Sequence, residues 1–319
     1  MRMTSNLRGA LFALLGFGLF STHDAIIKHL GVEYTAFQII FFRTLMSFPL
    51  ITVMLMQDKS EGHLRPNHPW WITLRMASDM LAGAGAFYAF SVLPLAQVYA
   101  MLFASPLLIT VLAIPILGER VRLRRGLAVI VGLIGVLIVL RPGAVPISFG
   151  HVAAMASAVG GATSSIIARK IGQDERSAVI LLYPMMANFL VMGALMPFVY
   201  VPMAVADLGG MTLVAVFAIV AGLCTITAYR NAEAVIVAPM QYSQILWAIL
   251  YGWLFFREGI DGYTALGIAV IIGSGLYILF RESGSGVSNN CPVSHTRSRP
   301  DAGPGSRIGA FLNRNRPQA

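Results

Sequence analysis

Three ionisable side chains, His23, Asp24 and Arg43, sit inside runs that are otherwise almost wholly apolar. A charge held at membrane depth costs several kcal/mol on insertion scales, so each needs a compensating role. Two readings stand for each. Asp24 precedes Lys28 by four residues, the favourable order for an ion pair within one helix; alternatively its carboxylate serves a coupled proton or a gate. A free imidazole titrates near neutral pH, so His23 can gate proton movement, or it is a hydrogen-bonded packing residue. Arg43 lies about 10 Å into its run at 1.5 Å per residue, too deep for easy snorkelling. Its fork suits a substrate carboxylate or phosphate, or a pair with Asp24 that stabilises the bundle.

A second group is aromatic and amide. Gln241, Tyr242, Gln244 and Trp247 interrupt one apolar run, and Tyr88, Tyr99 and Phe103 lie in two others. Such groups stack on a flat ring, hydrogen-bond to it, or attract an alkyl-ammonium group; singly, each also suits packing. Glu119 and Glu258 stand at run ends beside Arg120 and Arg257, where closing the ends of helices or gating is expected of them rather than ligand contact. Arg75 and Asp79, four residues apart, can neutralise each other. No catalytic residue, metal or cofactor is expected. Metalloprotease spacing, a Gly-rich phosphate loop and a Gly-x-Ser-x-Gly turn are all missing from the sequence, which argues against a nucleotide-driven pump and gives a membrane enzyme no motif to rest on. Cys224 and Cys291 suggest neither a disulfide framework nor a metal site. A sensor that binds without transporting, or a membrane enzyme, is the alternative from another class.

The elements that must hold these residues are helices in a membrane. Of 319 residues 57% are hydrophobic and only 12% charged, with a mean hydropathy of +0.73, which argues against water as the main solvent. Apolar runs near 9–28, 36–56, 70–92, 96–117, 126–140, 148–168, 178–200, 211–229, 235–256 and 261–280 are long enough to cross a hydrocarbon core. They are continuously apolar rather than alternating, so an all-α polytopic protein is predicted and not a barrel. With ten crossings and a cytoplasmic N-terminus, 18 of the 23 basic residues fall on cytoplasmic segments. Lys28, Arg141 and Arg257 fall on the other face, so the positive-inside rule supports that orientation and both termini inside. The net charge of +9 then reads as topology and attraction to anionic lipid, without nucleic acid. Residues 1–8 form a cytoplasmic N-terminus, and 282–319, rich in Gly, Ser, Pro, Asn and Arg, a disordered cytoplasmic tail.

The halves repeat. Ser21-Thr-His-Asp-Ala-Ile-Ile-Lys-His-Leu-Gly31 lies over Ala162-Thr-Ser-Ser-Ile-Ile-Ala-Arg-Lys-Ile-Gly172, and Gly118-Glu119 over Arg257-Glu258. In the same register Phe103 corresponds to Tyr242 and Ser105 to Gln244. Each half, 9–140 and 148–281, holds five helices. Five being odd, the second enters the membrane inverted, with a binding site expected between the halves near the midplane. Pro184 replaces Arg43 in the second half, so only one half has that charge. Ala82-Gly-Ala-Gly-Ala86, Gly132 with Gly135, Gly160-Gly161 and Gly273-Ser-Gly275 are expected at tight helix crossings.

This arrangement resembles the drug/metabolite transporter superfamily, and within it the EamA-type transporters. The likeness is carried by Phe87-Tyr-Ala-Phe-Ser-Val-Leu-Pro-Leu-Ala96, Ser105-Pro106 and Leu117-Gly-Glu-Arg120, followed by Gly126 and Gly132. The second half repeats it more loosely as Ala228-Tyr-Arg-Asn-Ala232, Ala238-Pro239 and Phe256-Arg-Glu258. His23-Asp-Ala-Ile-Ile-Lys-His-Leu-Gly31, Phe41-Phe-Arg-Thr-Leu45 and Ala238-Pro-Met-Gln-Tyr242 are similar to the S-adenosylmethionine uptake carriers, while related members carry riboflavin or export amino acids. The resemblance implies a secondary carrier for a small organic metabolite in a bacterial-type inner membrane, working by alternating access. Uptake of a cofactor-like solute of the riboflavin or S-adenosylmethionine class is favoured over export. The choice between monomer and homodimer stays open.

Overall fold

A computed structural model describes residues 5–56, 64–119, 123–143, 146–172, 174–232 and 234–284. Arg120, Cys291 and nearly all of the tail lie outside them. The described residues form twelve helical segments and no strand ladder: α1 (Ser5–Leu30), α2 (Ala36–Met56), α3 (Pro69–Val92), α4 (Leu95–Leu102), α5 (Ala104–Leu117), α6 (Leu123–Leu140), α7 (Phe149–Ile171), α8 (Ser177–Val199), α9 (Val205–Asn231), α10 (Ala234–Met240), α11 (Ser243–Phe256) and α12 (Gly262–Gly284).

Two runs read as single helices in the sequence are bent. Pro106, in the first turn of α5, lacks an N–H and its ring crowds the carbonyl of Leu102, so the chain turns at Phe103. Between α10 and α11 the bonds tighten to i→i+3, with Gln241 N–H donating to Ala238 O at 3.1 Å and Tyr242 N–H to Pro239 O at 3.1 Å. Among the described residues seven spans have the length and apolarity to cross a membrane: Leu7–Leu30, Leu95–Leu117, Leu123–Leu140, Phe149–Ile171, Ala178–Val199, Val205–Asn231 and Gly262–Phe280. The bend at Gln241–Tyr242 leaves each half of its run too short to qualify, and α3 carries Arg75 and Asp79 in its middle.

Burial follows from where small residues lie. α6 turns Leu127, Ile130, Ile134 and Leu137 outward at helical spacing, each about half exposed. Its Gly132, Gly135, Val136 and Val139 lie buried against α12. An outward apolar stripe of this kind is unfavourable in water and favourable in lipid. α1 packs along α9, α3 along α7, and α2 along α8. In the α3–α7 crossing a Cβ on Gly85 would stand 2.5 Å from the Ala153 carbonyl oxygen, and one on Gly160 2.7 Å from that of Ser78. Gly83 and Gly273, expected at tight crossings too, face open space or a distant side chain. The end of α6 is tied to the start of α12 by Arg141 and Asp261, and the Thr264 hydroxyl with Arg141 holds the Asp261 carboxyl below its usual range.

Candidate functional site

α1 touches α3, α9, α10 and α11. On it the His23 Nδ1 lies 2.7 Å from Asp24 Oδ1, and the other Asp24 oxygen accepts a short hydrogen bond from the Tyr99 hydroxyl of α4. Tyr99 also lies 3.4 Å from Ser21 Oγ, and Ser21 donates to the Gln244 carbonyl at 3.4 Å. Among the described residues, His23 Nε2 is buried without a hydrogen-bond partner.

From Asp24 an aromatic path leads across the bundle. The Tyr99 ring packs against Phe90 and Phe103, and Phe103 meets Tyr242 with centroids 5.2 Å apart. The Tyr242 hydroxyl in turn fills the space left by the missing side chain of Gly275 on α12. Beside it, Trp247 stacks on Tyr251 at 6.0 Å and lies flat on Gly18 of α1. The Tyr251 hydroxyl reaches Thr22 Oγ1 at 2.9 Å.

Arg43 projects from α2 onto the Phe87 ring, 5.5 Å from its centroid, and the same ring takes the edge of His23 at 6.1 Å. Arg43 as a residue is half-buried. Among the described residues it has no carboxylate within ion-pair distance, so the direct Arg43–Asp24 pair is not formed.

The expected Asp24–Lys28 pair is not formed either. Lys28 turns toward Glu258 at 2.7 Å and donates to the Leu93 carbonyl at 2.6 Å, while Glu258 also accepts from the Leu95 N–H at 3.0 Å. A carboxylate that satisfies an ammonium and a helix N-terminus together outcompetes one turn of helix. At the other end Glu119 pairs with Arg169. In the repeat register Lys28 corresponds to Arg169 and Glu119 to Glu258, so each basic residue takes the acid of the opposite half. The local geometry matches as well. Gly118 (φ 70°) and Arg257 (φ 55°) both close their helices in the left-handed conformation. The next N–H then bonds six residues back, Glu119 to Ala113 at 3.2 Å and Glu258 to Gly252 at 2.8 Å. The pairs lie at opposite ends of α3: Lys28 at Leu93, and Lys170, next to Arg169, over the Trp71 ring at 4.4 Å. They stand roughly 30 Å apart along that helix at 1.5 Å per residue.

The structure thus gathers His23, Asp24, Tyr99, Phe103, Tyr242 and the Gln244 backbone, with Arg43 adjoining through Phe87. Tyr88 is elsewhere, paired with Phe149 at 5.3 Å, and Gln241 is exposed at the bend. Asp79 receives the Ser164 hydroxyl at 2.5 Å and lies 3.6 Å from Arg75, as their spacing predicts. Sequence reading missed Ser21, Thr22, Phe87 and Tyr251. Ser21 and Thr22 adjoin His23 in the repeated segment, and that adjacency was the available signal.

The model of the EamA-like transporter family matches residues 7–141 and again 148–280. The chain belongs to the EamA-like transporter family. It is a multi-pass membrane protein of the drug/metabolite transporter superfamily, and the transporters it resembles include both importers and exporters. A pseudopaline exporter of Pseudomonas aeruginosa is 27% identical over 83% of this EamA-like chain and 93% of its own length. A riboflavin transporter of Rhizobium johnstonii is 27% identical over 86% and 91%. An S-adenosylmethionine uptake transporter of Rickettsia prowazekii is 22% identical over 88% and 95%. A solved crystal structure, 16% identical, superposes over 89% of this chain and all of its own with a TM-score of 0.57, a likeness of fold alone.

Proposed function

We propose that this protein is a secondary carrier that takes up a cofactor-like organic solute across an inner membrane by alternating access. Two five-helix halves, ten crossings in all, enclose the Asp24–Tyr99–Phe103–Tyr242 line, and both termini are cytoplasmic. The observation that carries this reading is the contact between Phe103 and Tyr242. Equivalent residues of two halves touch only close to the axis relating them, and both sit at a helix bend, the feature that marks a midplane site in inverted-repeat carriers. The helix pairings support it: α1 with α9 exchanges with α7 with α3, while α6–α12 and α2–α8 map onto themselves.

In this reading Arg43, Tyr99, Phe103, Tyr242, Gln244 and Trp247 contact the solute, and His23 with Asp24 serves proton coupling or gating. Glu119 and Glu258 gate the two ends through Arg169 and Lys28. A second reading, export, is favoured by the likeness to the pseudopaline exporter.

The test is transport into proteoliposomes of known protein orientation, after a thermal-shift screen, since a ligand that binds the folded protein stabilises it. S-adenosylmethionine and riboflavin head the panel. A hit that accumulates with the parent protein and not with Asp24→Asn or Arg43→Gln supports the carrier; the loading face that supports flux separates uptake from export. A ligand that stabilises without crossing, or is chemically altered, sinks the carrier reading.

A further inference from the structure

We infer that the solute is a zwitterion, held with its anionic group at Arg43 and its cationic group at Asp24 and the neighbouring aromatic rings. This rests on the site proposed above. Asp24 and Arg43 are opposite charges placed within the bundle near Phe87, whose ring meets Arg43 and His23, the neighbour of Asp24, yet they make no ion pair with each other. Four other cations, Lys28, Arg75, Arg141 and Arg169, each have a carboxylate in reach. The Arg43 guanidinium has five N–H donors and, among the described residues, a ring face and the more distant charge of Asp24 but no hydrogen-bond acceptor.

Asp24 is the complement. His23 and Tyr99 each occupy one of its oxygens, which fixes the carboxylate while leaving lone pairs for another donor. The Tyr99 ring adjoins it, with Phe103 and Tyr242 following in line, and aromatic faces attract a cation.

The two fixed charges select against simpler ligands. An anion is drawn to Arg43 and repelled by Asp24, and a cation the reverse. A neutral molecule that enters leaves two charges unpaired and partly stripped of water. Only a ligand with both signs satisfies both ends, and a site built around polar partners rejects an analogue lacking one of them by large factors.

The experiment is a thermal-shift titration of the full chain against matched triplets: an amino acid, its amide and its decarboxylated amine, for methionine, histidine, tryptophan and S-adenosylmethionine, with riboflavin as the neutral probe. At least one zwitterion should stabilise the protein, and its amide and amine should bind at least about 100-fold more weakly. Arg43→Gln should erase the preference over the amide, Arg43→Lys should restore part of it, and Asp24→Asn should weaken binding of the zwitterion. Stabilisation by riboflavin or by singly charged probes as strong as by any zwitterion, or no zwitterion binding at all, overturns the inference. A zwitterion that binds but does not enter vesicles leaves this inference standing and sinks the carrier reading instead.

Discussion

Lys28 is where a local reading of the sequence and the folded protein part. Its spacing from Asp24 was legible, but Glu258, its actual partner, adjoins it only once α1 and the end of α11 meet. Removing one member of a buried pair costs more than removing both, because the survivor keeps its desolvation without its partner. Lys28→Met should therefore destabilise the protein by roughly 3 kcal/mol, and adding Glu258→Gln should recover part of the loss. A double-mutant cycle on thermal stability in detergent measures this. Additivity of the two single changes would mean the pair is not coupled. The charged residues themselves were legible as out of place in apolar runs. Phe87, the ring shared by His23 and Arg43, was not, because nothing in one sequence separates a ring that joins two polar groups from one that fills space.

At the scale of the helix, glycine patterns marked some close crossings and overcounted others. Gly85 and Gly160 meet backbone of the opposing helix, whereas Gly83 and Gly273 do not. Sequence spacing gives the face of a helix but not the height at which its neighbour touches it. Gly160→Ala should lower stability by about 1–3 kcal/mol, since backbone cannot yield as a side chain can. Gly83→Ala and Gly273→Ala should leave thermal unfolding unchanged or raise it slightly through helix propensity. Equal loss in all three would mean the α3–α7 crossing is not the tight one. Most helix ends were legible to within a few residues from charge and proline. The bends at Phe103 and Gln241–Tyr242 were signalled by Pro106 and Pro239, but only the fold assigns them to facing positions.

For the molecule as a whole, the repeat matched Glu119 with Glu258 and Lys28 with Arg169, while leaving open which acid each base would take. The cross-half choice gives each end of the bundle its own tie. In a protein with Cys224 and Cys291 replaced by Ser and Ser21→Cys as the reporter, Glu258→Gln should expose position 21 to a membrane-impermeant maleimide from one face. Glu119→Gln should expose it from the other. Labelling from the same face in both variants, or no gain over the parent, would rule out the two ties as gates.

Both ties are closed at once in this structure, and they are the same device used twice. If each face opens by releasing one of them, the two open forms begin nearly equal in energy, and about 1.4 kcal/mol of difference would make one ten times rarer. The chemical distinction between the faces is then small, an ammonium at one and a guanidinium at the other. In such a carrier the architecture alone sets no direction: whether it fills or empties a cell follows from the gradients of the solute and of any coupled proton, and relatives named for opposite directions can share one architecture.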